Sequence, residues 1–300
     1  MRYVPKRYVP KRLVVPPWLP PAVIRLLPDR GEMFYRYHRA TSAGAPTLLL
    51  LHGWTASADL QWFTAYPALA DRYSFVAIDH RGHGRGLRSD EPFTLEDAAD
   101  DAAALVRELG VGPVVVVGYS MGGPISLLLG HRHPDVVSGM VLEATALEWR
   151  STLGDWLSWR GLVLLEVFMR SRASRWFGRR AVRYLDERNH DLEPYLGWIL
   201  AESRRSDATD IAAAGRALSH YDARPFAASL KRPSAVVFTM HDHLVKPKKQ
   251  RALARALDAS LYELAGDHFA FWANGKEFAD VTREAVDDVV SRLPAAAPAR

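Results

Sequence analysis

Four consecutive valines, Val114 to Val117, run directly into Gly118-Tyr119-Ser120-Met121-Gly122, and this junction restricts the chain to few folds. A β-branched run of that length is a buried strand. Pro124-Ile125-Ser126-Leu127-Leu128-Leu129 then continues as an apolar helix. Gly118 and Gly122 permit a turn too tight for side chains. A strand, a tight turn and a helix in this order present Ser120 at the tip in a strained backbone conformation, with the next backbone N–H aimed at a reacting carbonyl. The Ser120 hydroxyl is therefore a candidate nucleophile. The five-residue pattern alone is common; its flanks give it weight.

Around this junction, strands and helices alternate. Thr47 to Leu51 reads as a strand ending in His52-Gly53-Trp54, and Ser74 to Ile78 as the next, ending in Asp79-His80-Arg81-Gly82-His83-Gly84. A helix from Leu95 to Leu109 leads to the valine strand. Further strands are expected at Val137–Leu142, Ala235–Thr239 and Leu261–Leu264, with a weakly alternating edge strand at Glu32–His38. Continuous apolar strands alternating with helices imply a mostly parallel sheet covered on both faces. Loops at the carboxyl ends of such strands are where chemistry gathers.

The pattern changes after Thr145. From there to about Phe226 no strand is evident, and Trp149, Trp156, Trp159, Trp176 and Trp198 fall among helical runs. The run Gly161–Met169 is apolar nearly all round, as in core packing or the lining of an acyl pocket. The expected organisation is a basic, Pro-rich N-terminal arm over 1–30, an α/β core over 31–144 and 227–292, an all-helical cap over 145–226, and an Ala/Pro-rich tail over 293–300. Within the arm, Arg2-Tyr3-Val4-Pro5-Lys6 recurs as Arg7-Tyr8-Val9-Pro10-Lys11.

The 300-residue chain contains no cysteine, which excludes disulfides, thiolate metal sites and a cysteine nucleophile. The net charge of +5 is uneven, with basic residues concentrated in the first twelve positions and between Arg150 and Arg188. No nucleic-acid recognition module accompanies them, so no nucleic-acid partner is expected. Basic residues interleaved with aromatics make the arm and the cap candidates for contact with lipid. Prolines 16, 17, 20 and 21 break the apolar stretch that would otherwise suggest a signal peptide, and the expected location is cytoplasmic or peripheral to a membrane.

A serine hydroxyl is a poor nucleophile at neutral pH and needs a base, itself oriented by an acid. His268, after the last strand, is the candidate base. Asp242, after the Ala235 strand, is the candidate acid, with Glu143 the alternative. Asp79, His80, Arg81 and His83 are expected to organise the neighbouring loop by hydrogen bonding. A metal set of His52, His80 and His83 is conceivable but less economical.

The order Ser120, Asp242, His268, the His-Gly-x loop at 52–54, the Asp-x-Arg-Gly-x-Gly segment at 79–84 and the turn at 118–122 together resemble the α/β-hydrolase superfamily, in a form with a helical cap. The resemblance runs over about residues 30–292. It implies the α/β-hydrolase fold, a catalytic triad of Ser120, Asp242 and His268, and an oxyanion hole built from the backbone N–H groups of Met121 and Trp54. His52, Gly53, Gly118 and Gly122 would support these loops. The loop lacks the His-Gly-Gly-Gly run of one lipase and esterase group. Relatives that hydrolyse epoxides or haloalkanes carry Asp where this chain has Ser120.

The activity this implies is hydrolysis of a small-molecule carboxylic ester without cofactor or metal, and the aromatic, apolar cap favours a hydrophobic acyl or aryl group. The same triad serves thioesters, lactones, carbon–carbon bonds and acyl transfer. A ligand-binding or receptor-like relative with little turnover is the alternative from another class.

Overall fold

A computed structural model describes residues 13–41, 44, 46–150, 180 and 189–294. The Tyr-Val-Pro repeat, the apolar run Gly161–Met169 and most of the C-terminal tail lie outside the described residues.

Eight strands form one sheet: β1 (Ala22–Leu27), β2 (Gly31–His38), β3 (Leu48–Leu51), β4 (Phe75–Ile78), β5 (Val114–Tyr119), β6 (Val137–Glu143), β7 (Ser234–Thr239) and β8 (Ser260–Leu264). Their spatial order is β1-β2-β4-β3-β5-β6-β7-β8. β2 runs antiparallel to β1 and β4, and every other pairing is parallel. The four leucines of β3 and the four valines of β5 are fully buried, as strands covered on both faces must be.

Two expectations need correction at the N-terminal end. Residues 22–27, assigned to the Pro-rich arm, form the edge strand β1, and Glu32–His38 belongs to β2, the second strand rather than the edge. The alternation in β1 is masked because its outer positions carry exposed Ile24 and Leu26, so no polar–apolar period is visible.

Helices cover both faces. On one side lie α3 (Leu95–Leu109) and α4 (Gly122–Arg132), packed against each other. The ends of α3 follow from local chemistry: the Thr94 side chain caps Asp97 N–H, and Gly110 closes the helix in the left-handed region. Its Ala98, Ala99, Ala102 and Ala103 are buried and allow close approach. On the other side α9 (Gly275–Ser291) packs against β5 to β8. Two short helices, α1 (Ala58–Trp62) and α2 (Tyr66–Ala70), follow β3, and α7 (Pro247–Leu257) follows β7.

The chain between β6 and β7 is inserted at the carboxyl ends of the strands. Its described part holds α5 (Leu196–Glu202) and α6 (Ala208–His220), each preceded or followed by short 3-10 turns. The only pairing there among the described residues is an isolated bridge between Glu148 and Asp222. A last short helix, α8 (Ala270–Ala273), lies between β8 and α9. No helix among the described residues is long and apolar enough to cross a membrane.

β3 leads to β4 on one side, while β5 pairs with β3 on the other. The loops leaving β3 and β5 therefore part at a topological switch point, where open α/β sheets bind their ligands.

Candidate active site

Ser120 sits between β5 and α4 with φ 52°, in the left-handed region that costs an L-residue about 1–2 kcal/mol. Fixed hydrogen bonds hold it there. Its N–H donates to Glu143 O (2.8 Å), and its carbonyl accepts from Gly123 N–H (2.9 Å) and the Thr145 hydroxyl (2.8 Å). A side chain on Gly118 would strike Ser126 and the Gly122 carbonyl, and one on Gly122 would strike the Leu51 carbonyl. The turn exists in this form only with glycine at both positions.

His268, in the loop after β8, links the two other candidates. Its Nε2 lies 2.9 Å from Ser120 Oγ, and its Nδ1 lies 2.7 Å from Asp242 Oδ2. Asp242 is 2 % exposed and is surrounded by donors. Leu244 and Val245 N–H donate to Oδ1, both at 2.8 Å, and the Thr239 hydroxyl donates to Oδ2 at 2.8 Å. Gln250, on α7, ties this loop together by donating to Thr239 Oγ1 and the Val245 carbonyl.

Glu143, the alternative acid, does not contact the histidine. It is fully buried at the end of β6, and neither carboxyl oxygen has a protein hydrogen-bond partner. Burial pushes its carboxyl up to about 8, slightly offset by the Thr282 hydroxyl nearby. The folded protein therefore retains a proton that the unfolded chain releases near 4.5. Its stability should be intact below that pH and fall as pH rises towards 8, by at most ~1.4 kcal/mol per pH unit. Glu143→Gln should flatten this slope, measured by urea unfolding at pH 5, 6, 7 and 8. Equal slopes in the two proteins would show that Glu143 does not carry the titration.

The His52-Gly53-Trp54 loop passes directly beside the nucleophile. A Cβ on Gly53 would lie 3.2 Å from the Ser120 Cβ, and Gly53 N–H points to Gln61 Oε1 at 3.4 Å. His80 N–H donates to His52 Nε2 (3.0 Å), so the proton of the neutral imidazole is on Nδ1, which donates to Gly53 O at 2.7 Å. That carbonyl belongs to the same planar peptide as Trp54 N–H. His52 thus fixes the plane of the amide expected to serve as one oxyanion donor. Met121, the residue expected to supply the other, is the N-cap of α4.

His52, His80 and His83 are buried together. Burial pushes His52 well down, His80 down to about 3 and His83 down to about 4. Both nitrogens of His52 are engaged by backbone groups. Among the described residues no group of three or more His, Cys, Asp or Glu is arranged to hold a metal ion. Asp79 accepts from Ala58 and Arg85 N–H, both at 2.7 Å, and Arg81 forms a paired contact with Asp101. Asp79 and His80 thus reach the neighbouring loop after β3, through Ala58 and His52.

Tyr119 escaped the sequence reading. Its buried hydroxyl donates to His268 O at 2.9 Å, so the residue preceding the serine also anchors the histidine loop. Strand parity, which directs Tyr119 to the α9 side, was the available signal. Thr239, Thr145, Gln61 and Gln250 carry no motif at all and become visible only through their partners.

Residues 46–274 match the alpha/beta hydrolase fold family, and the chain belongs to it. A 2-(acetamidomethylene)succinate hydrolase from Mesorhizobium japonicum is 33% identical over 96 residues, 32% of this chain and 34% of that protein. A pimeloyl-[acyl-carrier protein] methyl ester esterase from Neisseria meningitidis is 26% identical over 258 residues, 80% of this chain and 93% of that protein. The chain thus spans about a third of the first relative and nearly all of the second. Among solved structures, the enol-lactonase of Burkholderia xenovorans LB400 superposes with a TM-score of 0.74 at 22% identity, covering 88% of this chain and all of that one. This last likeness is one of fold.

Proposed function

We propose that the protein is a serine hydrolase of carboxylic esters with an apolar acyl or aryl group. The observation that carries this reading is His268, whose two ring nitrogens reach Ser120 Oγ and Asp242 Oδ2 at 2.9 and 2.7 Å. Ser120 Oγ attacks the ester carbonyl while His268 Nε2 takes its proton, and Asp242 keeps the imidazole in the required tautomer. The N–H groups of Met121 and Trp54 stabilise the oxyanion. The carbon–oxygen bond then breaks and the alcohol departs with the proton from Nε2. Water, deprotonated by the same nitrogen, attacks the acyl-serine, releases the acid and restores Ser120.

The preference for an apolar group rests on side chains exposed at the acid and histidine loops. Phe269, beside His268, is 45% exposed, Leu244 is 65% exposed and Met240 is 41% exposed. The aromatic, apolar composition of the insertion, read as a cap, supports the same preference. No cofactor or metal is needed for these steps.

A fluorophosphonate probe read by intact mass tests the reading. One adduct should form on the native protein and be absent from Ser120→Ala and His268→Ala. Absence of an adduct on folded native protein would refute the activated serine. A p-nitrophenyl ester series should then show higher kcat/KM for longer acyl chains than for acetate.

A further inference from the structure

Among the contacts of Trp54, two tie it to separate parts of the fold. Its backbone amide lies in the loop beside Ser120, with the adjoining Gly53 carbonyl held by His52. Its indole points away from that loop and donates through Nε1–H to the carbonyl of Ile211 at 2.8 Å. Ile211 is fully buried in the first turn of α6, in the insertion. The carbonyl has a second lone pair for this bond besides its place in the helix.

The acceptor is itself firmly placed. Asp207 caps α6 by accepting from Thr209 and Asp210 N–H. Immediately before the cap, Ser206 Oγ accepts from Gly84 N–H at 3.0 Å, and Arg205 O accepts from the Arg88 guanidinium at 3.3 Å. One turn earlier, Glu202 pairs with Arg85 at 2.6 Å. The start of α6 is thus moored to the loop after β4, and Trp54 extends the same mooring to the loop after β3. A hydrogen bond tolerates only a few tenths of an ångström before it weakens, so the indole acts as a strut between α6 and the peptide beside the serine.

From this geometry we infer that the Trp54 indole is a positioning group, coupling the seating of α6 to the oxyanion donor supplied by Trp54 N–H. The inference rests on the hydrolase reading above. A donor misplaced relative to the developing oxyanion costs transition-state stabilisation and leaves ground-state binding largely alone. Loss of the strut should therefore appear in kcat.

Trp54→Phe keeps a ring and removes the N–H. It should lower kcat for a p-nitrophenyl ester about three- to tenfold with KM changed less than about twofold. In the native protein, the indole resonance that is missing from the Trp54→Phe spectrum should shift when Ser120 is phosphonylated by the fluorophosphonate probe. A tryptophan that only fills space would not show a loss confined to kcat when its N–H is removed. An unchanged kcat, a loss confined to KM, or an indole resonance identical in free and phosphonylated protein would overturn the coupling while leaving the hydrolase reading intact. A native protein that neither reacts with the probe nor turns over ester would defeat that reading first and this inference with it. Should Trp54→Phe not fold, the same resonance, assigned by selective labelling, decides the question in the native protein.

Discussion

Ser120→Ala is expected to reduce kcat for ester hydrolysis about 10⁶-fold without lowering the melting temperature. The variant removes one oxygen, whose hydrogen bond in the structure goes to His268 Nε2. The backbone bonds from Ser120 to Glu143, Gly123 and Thr145 do not involve the side chain and persist. Alanine meets the same left-handed penalty as serine, so the strain is unchanged rather than relieved. Active-site polar groups held for chemistry are commonly neutral or costly for stability. Thermal unfolding alongside stopped-flow or burst kinetics checks both halves. A fall in activity below tenfold would mean that another group provides the nucleophile.

Asp242→Asn is expected to cost about 10⁴ in kcat with little change in fold. The direction follows from the donors around the carboxylate. Oδ1 accepts from two backbone N–H groups, Leu244 and Val245, which cannot reorient. An asparagine must therefore leave its carbonyl oxygen there and turn its NH₂ towards His268 and Thr239. The Thr239 hydroxyl can rotate to accept, but His268 Nδ1 must then accept as well. The imidazole proton moves to Nε2, where it faces Ser120 Oγ as a donor and cannot take the serine proton. A nitrogen-15 spectrum of the histidine should show this tautomer change directly. Retention of the native tautomer with full activity would remove Asp242 from its assigned role.

The central part of the fold was legible because burial on two faces leaves uninterrupted apolar strands. Val114–Val117 and Leu48–Leu51 have no other comfortable environment, and the glycines after Val117 mark the turn. The α3 helix was equally plain, and in the structure Thr94 and Gly110 mark its ends. β1 was not legible: an edge strand with Ile24 and Leu26 facing outward and prolines just before it looks like an irregular arm. In the site, Ser120, Asp242 and His268 were each announced by position at a strand end. Asp242 was favoured over Glu143 on position alone; Glu143 closes β6 itself, and the loop geometry brings the Asp242 carboxylate to Nδ1. Tyr119 was hidden for another reason: its role is a contact with a backbone carbonyl 149 residues away.

The neck of the insertion has a further implication. β6 and β7 are direct neighbours, and Ala144 N–H reaches Val237 O at 3.1 Å. Slightly further out, Ala223 N–H donates to Leu147 O at 2.8 Å and Glu148 bridges Asp222. The two ends of the intervening chain are thus clasped side by side before it departs over the strand ends. A segment whose entry and exit are sewn together can be exchanged for another of different length or content while the sheet keeps its register. Within this architecture, what the protein recognises and how it holds its shape can be inherited separately.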